Sequence, residues 1–229
     1  MMHVIINLKV TITVILASVI ISYGYLRMMD IGNLTTMYQT IFGGKPLNGI
    51  MLKGLFITIL SLLQFITIDY IVFYLDNADS LTVRYGSKDR WLKALLNGCF
   101  MLTAGYVFFI TFTWLLLDIV FNYLEIQWID LGTVGMVGRI YLFCVIIVLI
   151  QISLLIKFTK TSAYLIMCGI MIVLALTSHN QGGVISILPQ WRSPMTSFFN
   201  IIVNMLIVLI LILVIRRIIH KKELVSYEN

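Results

Sequence analysis

Charged residues are scarce in this sequence. Asp, Glu, Lys and Arg together make up 11% of the 229 residues, whereas 60% are hydrophobic. The mean hydropathy is +1.01. Since an average soluble domain carries about 25% charged residues, this composition excludes a soluble protein and indicates an integral membrane protein.

Histidine and cysteine are also rare, with three of each. The histidines lie in loops or near the termini, and the cysteines lie inside apolar segments without paired spacing. The sequence therefore predicts neither a disulfide nor a metal or haem site. It also contains no H-E-x-x-H pattern, no Glu-Glu pair and no glycine-rich phosphate loop, so we expect no catalytic site and no cofactor.

Proline is limited to three residues, and long apolar runs fill most of the chain. Crossing a bilayer as a helix takes about 20 predominantly apolar residues. On that measure the sequence predicts an all-α polytopic membrane protein, folded as a single transmembrane domain with six transmembrane helices. The predicted spans are residues 10–26, 54–75, 94–117, 134–156, 161–178 and 198–215.

The basic residues are distributed unequally between the two sides that six spans define. With both termini inside, 11 of the 16 Lys and Arg lie on the cytoplasmic side, which is typical of proteins in the cell membrane. If the fourth and fifth spans were one helix, the C-terminal tail would move outside, but their combined length far exceeds a bilayer. Because topology and lipid headgroups explain the net charge of +6, we expect no binding of nucleic acid. The 11 residues are Lys9, Arg84, Lys88, Arg90, Lys93, Lys157, Lys160, Arg216, Arg217, Lys221 and Lys222.

The polar stretch LTVRYGSKDRWLK, residues 81–93, connects the second and third predicted spans. Gly86 and Ser87 are typical of a turn followed by a helix start, and Asp89 falls in the first turn of that helix. Trp91 is placed to anchor at the level of the lipid headgroups. The stretch therefore predicts a short interfacial helix of about residues 84–91 that faces the cytoplasm.

Asp69 is the one acidic residue well inside a predicted span. A carboxylate at such a depth has either a functional role, such as proton or cation coupling, or a structural one in which it faces inward and is hydrogen-bonded near the interface. Because residues that relay protons usually form chains and no second buried acid or histidine accompanies Asp69, the structural role is favoured.

The segment HNQGGVISILPQWRSPMT, residues 179–196, precedes the last predicted span. Its apolar patch of five residues is too short to cross the membrane, so we expect a re-entrant or interfacial hairpin of about residues 182–194 on the outer side. The residues that define this hairpin are Gly182, Gly183, Pro189, Trp191 and Pro194.

Six spans with both ends inside, a basic cytoplasmic loop after the second span and a short hairpin before the last resemble the membrane subunit of an ABC-2 type exporter. The stretch VRYGSKDRW, residues 83–91, is also similar to the R-Y-G-S-basic-x-x-W stretch of small Gram-positive permeases linked to export of, or immunity to, antimicrobial or toxic peptides. The resemblance covers the whole chain in topology and about ten residues in motif.

The resemblance implies a permease without its own ATPase, which exports amphipathic or antimicrobial peptides together with a cytoplasmic ATP-binding cassette subunit and a second copy of itself or a second permease. A non-transporting immunity or scaffold protein that binds a peptide toxin or a sensor is the alternative. A secondary transporter is disfavoured because the sequence shows no inverted repeat. The resemblance assigns contact with the ATPase to Arg84, Tyr85, Ser87, Lys88, Arg90 and Trp91.

Overall fold

The computed structural model describes residues 16–17, 19–21, 23–24, 50–121, 131–177 and 194–226, and these are all in helices or in the short turns between them. The prediction of an all-α fold is thus confirmed for this part of the chain. The described residues before residue 25 are helical. The helices that follow are α1 (Ile50–Asp76), α2 (Ala78–Tyr85), α3 (Lys88–Phe121), α4 (Leu131–Lys157), α5 (Lys160–Thr177) and α6 (Pro194–Ser226).

Four of these helices are long and apolar enough to cross a membrane. Their apolar parts are Gly54–Asp76 in α1, Lys88–Leu117 in α3, Val134–Lys157 in α4 and Ile201–Lys221 in α6. Helix α5 contributes a shorter apolar segment, Lys160–Leu174. Four long apolar helices indicate a membrane-embedded protein. Most of the predicted span 10–26 lies outside the described residues, so six spans remain a prediction.

Helix α4 is the centre of the bundle. It packs against α1, α3, α5 and α6, and seven consecutive residues from Phe143 to Leu149 are buried. Its apolar part is 61% buried, whereas that of α6 is 11% buried. Helix α6 is therefore the peripheral helix of the described bundle, and its outward aliphatic side chains suit a lipid environment.

The end of α4 and the start of α5 are separated by Phe158 and Thr159. The Thr159 hydroxyl accepts a hydrogen bond from the Ser162 N–H, which satisfies one of the free donors at the start of a helix. Helix α5 then packs against both α4 and α1. The possibility that residues 134–178 form one continuous helix is therefore excluded.

The predicted interfacial helix at residues 84–91 is wrong in its boundaries. Helix α2 ends at Tyr85, and Gly86 adopts a left-handed conformation with φ of 73° while its N–H bonds to the Val83 carbonyl, as helix ends often require. Ser87 does start a helix, since its hydroxyl accepts a hydrogen bond from the Arg90 N–H. That helix is the long α3, because no residue after Ser87 interrupts it before the apolar segment begins.

Candidate functional site

The two helices on either side of Gly86 meet at a corner, residues 83–91, which we call the α2–α3 corner. It is attached to α1 through tyrosines. The hydroxyl oxygens of Tyr74 and Tyr85 lie 3.4 Å apart, and the rings of Tyr70 and Tyr74 pack with centroids 4.8 Å apart. The hydrogen bond with Tyr74 raises the pKa of the Tyr85 phenol above its ordinary value. The corner is therefore fixed to the end of α1.

The outer surface of the α2–α3 corner is basic and partly apolar. Val83 is 83% exposed, and Arg84 and Arg90 are also exposed. Neither arginine forms an ion pair with a carboxylate of the described residues. An apolar side chain beside unpaired arginines at a rigid corner is a surface suited to binding another molecule.

Trp91 does not belong to this surface, contrary to the prediction. It is only 3% exposed and lies in the hydrophobic core of the bundle. Its indole nitrogen has no hydrogen-bond partner among the described residues. Trp91 falls in the first turn of α3, on the side that faces the other helices, and its packing there holds α3 in the bundle.

Asp89 links the α2–α3 corner to the last helix. One carboxylate oxygen accepts a hydrogen bond from Arg216 Nη2 at 2.9 Å, and the other lies 3.4 Å from His220 Nε2. Arg216 and His220 are four residues apart, so they lie on one face of α6. The negative charge at the start of α3 is favourable to the helix dipole, and Asp89 is already partnered by α6, so among the described residues it does not pair with Arg84 or Arg90.

Asp69 differs from the sequence prediction in two ways. Its side chain is 66% exposed on the surface of the described bundle rather than facing inward, and its carboxylate pairs with Lys160 Nζ at 2.6 Å. Lys160 begins α5, 91 positions further along the chain. The structure thus brings residues 157–160, the α2–α3 corner and the end of α6 to the same end of the bundle, as the predicted topology requires.

A polar cluster in the middle of the bundle was not predicted. The Thr67 hydroxyl donates to Gln151 Oε1 at 2.9 Å, and Gln151 Nε2 donates to the backbone carbonyl of Gln64 at 3.2 Å. The Gln64 side chain is fully buried, and its amide nitrogen and oxygen have no hydrogen-bond partner among the described residues. Polar residues inside predicted spans were visible in the sequence, but their contact across α1 and α4 was not.

Arg139 is a second residue whose position was missed. It is one of the five Lys and Arg that the predicted topology does not place on the cytoplasmic side, but it lies inside the apolar part of α4 and is only 4% exposed. Its position five residues beyond Val134 could have indicated this. An ionisable residue inside a membrane helix is a candidate for function.

The predicted outer hairpin falls almost entirely outside the described residues. This holds for Gly182, Gly183, Pro189 and Trp191, whereas Pro194 is the first residue of α6, a position where proline costs no hydrogen bond. Among the residues that the structure describes, no three His, Cys, Asp or Glu side chains are grouped closely enough to hold a metal ion.

Comparisons with known proteins gave no relatives. No family model matches the chain, and neither a curated protein nor a solved structure shows significant similarity to it. The resemblance to ABC-2 type permeases therefore stays a prediction from topology and from residues 83–91.

Proposed function

We propose that the protein is the membrane subunit of an ABC-2 type exporter of amphipathic or antimicrobial peptides, driven by ATP hydrolysis in a separate cytoplasmic subunit. The observation that supports this function best is the α2–α3 corner. It joins the short helix α2 to the membrane-length helix α3, Tyr85 bonds it to Tyr74 of α1, and its exposed Arg84 and Arg90 form no ion pair with a carboxylate of the described residues.

A permease without its own ATPase receives work through a physical contact, and that contact needs a rigid element. In the family that the chain resembles, the corresponding loop is the coupling helix. In this protein the contact is made by α2 and the turn after it, with Val83 as the apolar element and Arg84 as the charged one, rather than by Trp91. ATPase closure then moves α1 and α3 together, because the corner is joined to both.

The experiment is a pull-down of a candidate ATP-binding cassette protein after it and this protein are expressed together in membranes. Arg84→Glu, alone and with Val83→Ser, is expected to abolish capture of the ATPase and the stimulation of its activity, since both side chains are exposed and contribute little to the bundle. Lys93→Glu is the matched control, because it makes the same charge change at an exposed position of α3 outside the corner.

Full capture by the Arg84→Glu variants would show that the corner does not contact an ATPase. If the wild type itself retains no ATP-binding protein but does retain a peptide toxin, the alternative of a non-transporting immunity protein is supported instead.

A further inference from the structure

A groove opens on the side of the bundle between α1 and α3. Its volume is about 520 Å³, within the ordinary range of small-molecule sites, about 300–1,000 Å³. The groove is open on one side, and exposed apolar side chains border it, including Met101, which is 76% exposed. Its walls are formed by Ile66 and Tyr70 of α1 and by Gly98, Met101, Leu102, Gly105, Tyr106 and Phe109 of α3.

Two glycines of α3, Gly98 and Gly105, leave room in the wall of the groove. A Cβ atom built on Gly105 would have no protein atom within 4 Å, so the space beside this residue is empty rather than filled by a neighbouring side chain. At Gly98 a Cβ atom would collide with the Tyr70 hydroxyl and ring. Tyr70 therefore closes one end of the groove, where its hydroxyl donates to the Ala94 carbonyl at 3.4 Å.

Polar groups continue from that closed end toward the α2–α3 corner. Tyr70 packs on Tyr74, and the Tyr74 hydroxyl lies 3.4 Å from that of Tyr85. Arg90 lies beside the turn that follows Tyr85, since its Nη1 is 3.8 Å from the position that a Cβ of Gly86 would occupy. On α3, Arg90 also precedes Gly98 by eight residues, which is about two helical turns on the same face.

We propose that this groove binds one acyl chain of an anionic phospholipid, whose headgroup is held by Arg90. An apolar groove that ends at hydroxyl groups and an arginine matches the order of groups in a phospholipid, from chain to headgroup. The charge also matches, because Arg90 has no carboxylate partner among the described residues and Asp89 beside it is held by Arg216. Asp79, the acidic residue of α2, does not compensate the charge of Arg90, since it lies in the first turn of that helix, away from the corner.

The bound lipid would join α1 and α3 at the place where the α2–α3 corner begins, and so would stabilise the corner in one position. This site does not depend on transport: it would be present in an immunity protein as well as in a permease. Its headgroup residue, Arg90, is also distinct from Val83 and Arg84, which the ATPase test changes.

The experiment is native mass spectrometry of the purified protein titrated with dioleoyl phosphatidylglycerol or with dioleoyl phosphatidylcholine, which has the same chains and no net charge. We expect the wild type to prefer the anionic lipid by roughly tenfold, since both lipids carry a phosphate but only in phosphatidylcholine does a choline cation offset its charge beside Arg90. Arg90→Gln should remove the preference. Gly105→Leu, which fills the groove without meeting protein atoms, should weaken binding of both lipids.

Gly169→Leu is the matched control. A Cβ atom at Gly169 is also free of contacts, but the residue lies on α5, away from the groove, so lipid binding should not change. If Gly105→Leu fails to fold, Gly105→Ala replaces it, since a single methyl group has room at this position. Equal binding of the two lipids by the wild type, or unchanged binding by the groove-filled variant, would overturn the proposal.

Discussion

The ion pair between Asp69 and Lys160 predicts an unequal effect of removing its two partners. Asp69 lies seven residues before the end of α1, which places it about 10 Å from that end of the helix. Lys160→Ala leaves a carboxylate without a partner at this depth. Asp69→Asn instead removes the charge inside the apolar segment, while Lys160 at the start of α5 can extend to water. We therefore expect Lys160→Ala to destabilise the protein more than Asp69→Asn.

The expected loss in the free energy of unfolding lies between two limits. An exposed pair in water contributes about 0–1 kcal/mol, and a lone carboxylate at the bilayer centre costs about 2.5–3.5 kcal/mol on the insertion scale. At roughly a third of the depth of a bilayer core, the expected loss for Lys160→Ala is about 1–3 kcal/mol, and the loss for Asp69→Asn is below about 1 kcal/mol.

The assay is reversible unfolding of the purified protein in mixed micelles with increasing mole fraction of dodecyl sulfate. The double variant Asp69→Asn with Lys160→Ala should recover most of the stability that Lys160→Ala loses, because the unpaired charge is gone. The reasoning would be refuted if Asp69→Asn were the more damaging change, or if the double variant were as unstable as Lys160→Ala. If the proposed transport function holds, a structural role of Asp69 predicts that Asp69→Asn also leaves transport largely intact.

Three further predictions concern the interior and the orientation. Gln64→Leu should leave the stability of the protein unchanged or raise it, because its buried side-chain amide has no hydrogen-bond partner among the described residues. Gln151→Leu should cost about 1–3 kcal/mol in the same unfolding assay, because it removes two hydrogen bonds between α4 and α1. Gly98→Ala should cost about 1–3 kcal/mol through its collision with Tyr70, and adding Tyr70→Leu should restore part of the loss; no recovery would exclude this contact as the cause. A single cysteine at Ser87 should react with a membrane-impermeant maleimide only after cells are opened, and labelling of intact cells would refute the predicted orientation.

Local signals in the sequence were sufficient to place the turn at Gly86 and the helix start at Ser87. A left-handed residue favours glycine, and a hydroxyl can cap the next helix, so both features depend on neighbouring residues only. Helix α3 begins earlier than the predicted span 94–117. The charges of residues 88–93 favour a connecting stretch, but no proline or glycine follows Ser87 before Gly98. Charge alone does not end a helix.

Contacts between distant residues could not be predicted in this way. Asp69 and Lys160 are 91 positions apart, and Thr67 and Gln151 are 84 apart. Their meeting depends on how α1 is rotated against its neighbours, and the apolar residues of a membrane helix do not fix that rotation, because lipid-facing and buried sides are both apolar. The burial of Trp91 could not be predicted for the same reason, since packing decides which side of α3 faces the bundle.

Helix α3 contains 34 residues, which corresponds to about 51 Å at 1.5 Å per residue. A bilayer core is about 30 Å thick, so about 20 Å of an upright α3 extends beyond it. Asp89 precedes the apolar segment at Ala94 by five residues, so it lies about 8 Å beyond the core and about 23 Å from the bilayer midplane. A tilt of α3 by about 10° around the midplane therefore displaces Asp89 by about 4 Å. Asp89 is bonded to Arg216 and His220 of α6. A displacement of the first turn of α3 therefore also moves the last helix, through a contact that lies outside the apolar core.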